Sequence, residues 1–262
     1  MTGPVLRWVR CRIVAWVADE PQPGLVEARL VDAGGVERVF VDKDAVLSSE
    51  PIHRESPFPV DGVLGCEVVS RGERSVQVRT AWTGAEDGDW EFDVGWIDLV
   101  GGRELDGMLV RLESTSGCVI RPRAGEPVLG DGIALPGDLA AFYLHGGGAS
   151  LFPDADFGFD IVGPEGFVPA TATVAGPLTE DDDRSRWWYV VARSDDHPVV
   201  IDLHPDRLGR SYDGFWDTYG LPGDMAVVAR SFTELVDELL RAEGSRLHWL
   251  QPEWTPLGDA YD

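Results

Sequence analysis

The sequence predicts a two-domain protein, in which an all-β small barrel over residues 1–100 precedes an α+β domain over residues 101–262. Three observations support this prediction. Apolar and polar residues alternate with period two through the first hundred positions, and the periodicity becomes helical at Gly101-Gly102. A capped amphipathic helix then stands near the end of the chain. A length of 262 residues is ample for two hydrophobic cores.

Six short runs in the first hundred residues have the composition and the alternation of β-strands. They cover residues 6–17, 24–32, 36–42, 63–69, 75–82 and 90–98. The turn sequence Asp32-Ala-Gly-Gly35 separates the second run from the third, which predicts a hairpin. Because no convincing helical pattern interrupts these runs, we expect them to form a small closed or nearly closed barrel.

The second domain is expected to begin and end with helices. Leu105, Met108, Leu109 and Leu112 fall on one face of a first helix, since their spacing is i, i+3, i+4 and i+7. A second helix over residues 135–144 would have a proline in its first turn and would stop at a run of three glycines.

The terminal helix is the clearest element, because Ser231-Phe-Thr-Glu234 is a capping box and Gly244 supplies a stop. Strand-like runs lie between the helices. They cover residues 149–152, 157–162, 187–192 and 198–203. The order of these elements predicts an α+β domain.

The negative net charge of the chain favours some classes of ligand and disfavours others. Asp and Glu total 46 against 22 Lys and Arg, and residues 101–262 alone carry a net charge of −16. Nucleic acid and anionic membrane surfaces are disfavoured as ligands, since both attract cationic proteins. A basic protein partner is favoured. Three widely spaced cysteines and the absence of a signal-peptide pattern or an apolar span predict a reduced, cytoplasmic protein.

Three sequence patterns partly match the motif of a catalytic or metal site, and each lacks a residue that the motif requires. The acidic stretch 154–165 has the spacing of a calcium loop without the glycine that its sharp turn needs. The tetrapeptide 145–148, His-Gly-Gly-Gly, has no nucleophile elbow downstream. Residues 197–204 offer two histidines and one aspartate but no fourth zinc ligand. We therefore expect no enzyme activity, no cofactor and no metal.

Four motifs in the second domain resemble, in their order and spacing, those of the SUKH superfamily. They are Leu-Pro-x-Asp-Leu at 135–139, the paired strands 188–192 and 199–203, Gly-Arg-Ser-Tyr-Asp-Gly-Phe-Trp at 209–216, and the strand-to-helix passage 225–235. The resemblance covers residues 102–250, and the N-terminal β domain resembles no family that we can name.

Membership of this superfamily would imply an α+β domain with helices packed on one face of a mixed sheet and without catalytic activity. Many bacterial members are immunity proteins that bind and neutralise a toxin, and eukaryotic members resemble regulators of cell-wall synthesis. Contact surfaces differ between members, so the resemblance assigns no site residues.

The acidic clusters of the second domain are the best candidates for partner binding, with one aromatic anchor beside them. The predicted contact residues are Asp154, Asp156, Asp181, Asp182, Asp183, Trp187, Asp195, Asp196, Asp213 and Asp217. Trp187 follows the acidic run directly and is expected at the surface, whereas Trp188 and Trp216 lie within apolar runs and are expected in the core.

Two hypotheses of different classes follow from these observations. The first is a cytoplasmic immunity protein whose acidic face occludes a basic, nuclease-type toxin. The second is a non-catalytic adaptor or regulatory protein that binds a cellular protein through its β-barrel domain.

Overall fold

A computed structural model describes residues 6–48, 51–174, 176 and 184–262 of the chain. The chain divides into two compact units, Met1–Arg103 and Glu104–Asp262. Among the helices of the described residues, none is both long enough and apolar enough to cross a membrane.

The first unit contains a six-stranded antiparallel sheet. Its strands are β1 (Arg7–Ala18), β2 (Leu25–Val31), β3 (Glu37–Lys43), β4 (Val60–Arg71), β5 (Ser75–Thr80) and β6 (Glu91–Gly95). All six predicted strands and the hairpin between β2 and β3 are confirmed. A single helical turn, α1 (Asp44–Leu47), was not predicted, because four residues are too few to show a helical period.

The sheet has the strand order β3-β2-β1-β4-β5-β6 and curves into a half-barrel. Within the described residues β3 and β6 share no ladder, so the expected barrel is not closed by strand pairing. The two edges nevertheless approach each other. Phe40 and Phe92 lie with ring centroids 5.9 Å apart, and the Glu86 N–H donates to the Val39 carbonyl at 2.8 Å. Side chains that alternate along the strands fill the concave core, as Val9 and Ile13 show on β1.

The second unit contains a seven-stranded sheet. Its strands are β7 (Cys118–Ile120), β8 (Ala149–Leu151), β9 (Phe159–Ile161), β10 (Trp188–Ser194), β11 (His197–Asp202), β12 (Ser211–Asp213) and β13 (Val227–Ala229). They pair in sequence order, and every pairing is antiparallel. The expectation of a mixed sheet was wrong, because each strand runs back beside the strand that precedes it. The strands β7 and β12 were not predicted, whereas the equally short β8 and β9 lie within the predicted runs 149–152 and 157–162.

Four helices accompany this sheet. They are α2 (Gly102–Ser114), α3 (Gly137–His145), α4 (Ala170–Val174) and α5 (Phe232–Ala242). The helices α3 and α5 pack through Phe142 and Phe232, whose ring centroids are 5.0 Å apart. The Asp138 carboxylate in the first turn of α3 accepts the Thr233 N–H of α5 at 2.8 Å. The helix ends therefore hold each other in place.

Both faces of β10 are covered, which leaves the sheet no open face at its centre. Tyr189 stacks on Phe167 with ring centroids 5.3 Å apart. On the opposite face the fully buried Trp188 contacts Tyr212 and Tyr219, with centroids 5.3 Å and 5.5 Å away. The prediction that Trp188 lies in the core is confirmed. The loops at the two ends of the sheet are among the places where this unit presents side chains to solvent.

Candidate functional site

Three loops emerge at the same end of the seven-stranded sheet. Asp160 of β9 pairs with Arg193 of β10, and Val199 of β11 pairs with Asp213 of β12. Because neighbouring strands are antiparallel, this register brings together the β8–β9 loop, the β10–β11 turn and the loop after β12. These segments are residues 152–158, 195–196 and 214–221. We call this part of the surface the acidic end.

Six of the ten predicted contact residues lie at the acidic end: Asp154, Asp156, Asp195, Asp196, Asp213 and Asp217. All except Asp213 are exposed. The sequence separates them by more than sixty positions, and only the register of the sheet brings them to one place. Cations at this end are Arg193 on β10 and the exposed Arg246, which follows α5 beside the β8–β9 loop. The carboxylates outnumber them.

An exposed aromatic pair projects between these carboxylates. Trp216 is 70% exposed and Phe215 is 37% exposed. The expectation that Trp216 lies in the core was wrong, because its apolar run continues past the end of β12 into a loop that the sheet does not cover. A tryptophan that is mostly solvent-exposed and flanked by acids is typical of a contact anchor rather than a core residue.

Stacking of rings supports this aromatic pair. The His197 ring stacks on Phe215, with centroids 5.3 Å apart and planes 20° apart. Phe215 in turn contacts Trp216 at 5.9 Å. His197 lies at the start of β11, so the rigid β10–β11 hairpin carries the support. The loop that presents Trp216 is thereby attached to the sheet.

The Asp213 carboxylate links three neighbouring residues at the acidic end through hydrogen bonds. Its carboxylate pairs with His197 and accepts the Trp249 Nε1–H at 2.8 Å and the Phe215 N–H at 3.1 Å. Its side chain is only 13% exposed. Asp213 was predicted as a contact residue, and the structure places it beneath the surface, where it positions the neighbouring aromatic groups.

The remaining predicted contact residues do not join the acidic end. Trp187 is half-buried at the opposite end of the sheet, where it packs edge-on against His204 at 5.2 Å and lies under the Arg186 guanidinium at 5.6 Å. Asp181, Asp182 and Asp183 lie outside the described residues.

Phe215 and Trp216 are candidate contact residues that the sequence analysis did not include. A signal was present, because Asp213-Gly-Phe-Trp-Asp217 places two aromatic residues between two acids directly after a strand. A buried run would more commonly continue with further apolar residues.

The structure shows the surroundings of the residues that were weighed as catalytic or metal sites. Asp202 is fully buried, and its oxygens accept hydrogen bonds from Trp188, His204, Arg207 and Tyr212. The stretch 154–165, which resembles a calcium loop, contains the strand β9 and follows β8, so the element before it is a strand and not a helix. Over the ranges that the structure describes, no group of three or more His, Cys, Asp or Glu side chains is arranged to hold a metal ion.

The surroundings of the Cys11 thiol and of the tetrapeptide 145–148 also have a structural explanation. Burial and the nearby Asp61 carboxylate raise the pKa of the Cys11 thiol to about 12, so the thiol stays protonated at neutral pH. The helix α3 ends at His145, as predicted. A Cβ at Gly147 would lie 2.4 Å from the Pro122 carbonyl oxygen. Close packing of backbone therefore explains that glycine.

Comparison with curated proteins finds one informative relative. Over 158 residues, 60% of this chain, the sequence is 37% identical to "Immunity protein YokJ" of Bacillus subtilis (strain 168), and the match covers 96% of that protein. No protein-family model matches the chain. No solved structure matches it.

Proposed function

The chain belongs to the family of the immunity protein YokJ, and from that premise we propose that it binds and neutralises a protein toxin through its acidic end. The mechanism is occlusion. The carboxylates of the acidic end pair with basic groups that the toxin needs for its own substrate, while Trp216 enters an apolar pocket at the centre of the contact. No chemical step on the part of this chain is required.

The observation that supports this proposal best is the convergence of exposed acids around one exposed tryptophan on an aromatic support. Tryptophan is enriched among residues that dominate binding energy, and acids on the rim attract a basic partner. A nuclease-type toxin is the partner that fits this chemistry, since enzymes that act on nucleic acid present cationic surfaces. With a net charge of −16, residues 101–262 favour neither nucleic acid nor an anionic membrane as the ligand.

The same proposal includes an assignment of the two domains and a cellular location. The matched length of 158 residues is close to that of the unit Glu104–Asp262, which supports an N-terminal β domain joined to a SUKH-like domain over residues 102–250. A cytoplasmic location agrees with three cysteines that form no disulfide, two of them buried.

The test is protection of cells against the toxin module encoded beside this chain's gene. Cells that express the module with the full chain should grow, and cells that express the module alone should not. Trp216→Ala should abolish protection or speed dissociation of the purified complex about 30-fold or more, because a central anchor is worth about 2 kcal/mol or more. Failure of the unmodified chain to protect would reject the proposal.

A matched control separates the acidic end from aromatic residues in general. Trp90 of the first unit is 47% exposed, so Trp90→Ala removes a comparable side chain from a different surface. It should leave protection unchanged.

The second candidate function is that of an adaptor that binds a cellular protein through the first unit. The exposure of Trp82, at 51%, together with that of Trp90 favours it. Under this candidate Trp90→Ala, and not Trp216→Ala, would release the partner. The same pair of variants therefore decides between the two functions.

A further inference from the structure

Three arginines converge at the end of the seven-stranded sheet opposite the acidic end. Arg207 ends the 3-10 helix Pro205–Arg207, Arg210 precedes β12, and Arg230 follows β13. Ser211 pairs with Ala229, so the register of β12 and β13 brings Arg210 and Arg230 side by side. They line a pocket of about 400 Å³, which is within the usual range for a small-ligand site. We call this the arginine pocket.

The backbone around the arginine pocket is fixed before any ligand arrives. The Arg210 N–H donates to the Arg207 carbonyl at 3.0 Å, which closes a tight turn with Gly209 at φ 92°. The Arg230 N–H donates to the Glu234 carboxylate at 2.6 Å. The backbone is thus ordered without a ligand, so binding would cost mainly the conformational entropy of the Arg210 and Arg230 side chains.

Arg207 is held with its terminal nitrogens free. Its Nε–H donates to the fully buried Asp202 carboxylate at 2.8 Å, and the Arg207 side chain is only 11% exposed. In the described part of the chain, no hydrogen bond engages its two terminal nitrogens. Arg210 and Arg230 have no ion pair or hydrogen bond from their guanidinium groups to any described residue. Two carboxylates, Asp206 and Asp262, also line the pocket.

Two guanidinium groups without a partner among the described residues, Arg210 and Arg230, lie beside the free terminal nitrogens of Arg207, and together they favour an anionic ligand. Guanidinium presents parallel N–H donors that match the oxygens of phosphate and carboxylate groups. We propose that the arginine pocket binds a small molecule through an oxyanion group, a phosphate or a carboxylate. This site is separate from the acidic end and does not depend on toxin binding.

The test measures binding of inorganic phosphate and of succinate to the full chain at constant ionic strength, by calorimetry and by the arginine Nε–H resonances in NMR spectra. Saturable binding that shifts the Arg207 resonance is expected for at least one probe, and the probe that binds identifies the oxyanion. Each single variant, Arg210→Ala or Arg230→Ala, should weaken binding about tenfold or more, because each removes hydrogen bonds between charged groups.

The control removes two positive charges, one more than either single variant, at Arg241 and Arg246, which are exposed and lie away from the arginine pocket. Arg241→Ala with Arg246→Ala should leave the affinity unchanged. The proposal would be overturned if neither probe binds, or if the control pair weakens binding as much as the variants of the arginine pocket do. Since Arg210 and Arg230 make no described side-chain bonds, their variants should fold normally.

Discussion

Asp202 shows how much of this molecule depends on one buried carboxylate. One of its oxygens accepts from Trp188 Nε1 at 3.2 Å, Arg207 Nε at 2.8 Å and the Tyr212 hydroxyl at 2.9 Å. Burial, with the nearby negative charge of Asp202, raises the pKa of the Tyr212 phenol, so this hydroxyl stays a donor. The network thus joins β10, β11 and β12 with the edge of the arginine pocket.

The first prediction concerns this carboxylate. Asp202→Ala should lower the free energy of unfolding by about 3–5 kcal/mol, because it leaves the Arg207 charge and two buried donors without their acceptor. Urea unfolding followed by tryptophan fluorescence measures the change. Asp217→Ala, at an exposed position, should change stability by no more than about 0.5 kcal/mol. Similar losses in both variants would show that Asp202 is not the centre of the network.

Trp188 and Trp216 show that a position in an apolar run does not by itself predict burial. Both stand in apolar runs, yet Trp188 is fully buried and Trp216 is 70% exposed. The difference is the end of β12 at Asp213, beyond which neither face of the sheet covers the chain. Because β12 was not predicted as a strand, its end at Asp213 could not be placed.

At the scale of elements, the start of α5 is specified by several local contacts at once. The Ser231 hydroxyl accepts the Glu234 N–H at 3.1 Å, which confirms the predicted cap. The Glu234 carboxylate returns to the Arg230 N–H, and Asp138 of α3 accepts the Thr233 N–H. Three of the N–H groups around the helix start are thus satisfied by side chains.

The second prediction tests this cap. Ser231→Ala should lower the free energy of unfolding by about 1 kcal/mol, since an unsatisfied donor remains at the helix start. Ser231→Gly should lower the free energy of unfolding by only a few tenths of a kcal/mol, because water reaches the exposed N–H more easily. Thermal unfolding of the two variants beside the unmodified chain provides the measurement. An equal loss in both would attribute the effect to packing rather than to capping.

Elements with a clear apolar run or period could be predicted from the sequence, including the three-residue strands β8 and β9, whereas α1, β7 and β12 could not. The six strands of the first unit and the helices α2, α3 and α5 follow from alternation, spacing and capping residues. The antiparallel character of the second sheet was missed, because periodicity reports which side chains are buried and not the direction of the neighbouring strand. The candidate site was anticipated in part, since composition located the acids and only strand register could group them.

At the scale of the whole molecule, charge is distributed unevenly over the second unit. One end of its sheet collects exposed carboxylates around Trp216, and the other end collects three arginines around a pocket. Excess negative charge of this size exceeds what solubility needs and extends the reach of the acidic end toward a cationic partner. Under the proposed function, this charge attracts a cationic partner at a distance, and Phe215 and Trp216 make the aromatic contact at close range.

The final prediction follows from that combination. Association with the toxin should slow markedly between 0.01 M and 0.1 M salt, because the screening length falls from ~30 Å to ~10 Å, whereas dissociation should change little. The triple variant Asp156→Lys, Asp196→Lys, Asp217→Lys should reduce the association rate and its salt dependence, since it reverses exposed charges of the acidic end. A control with the same change of net charge, Glu20→Lys, Glu55→Lys, Glu73→Lys, alters exposed acids of the first unit and should have a much smaller effect. Stopped-flow association kinetics measure all three proteins. An association rate that is flat across this salt range, or equal in the two triple variants, would show that the acidic end does not steer the partner.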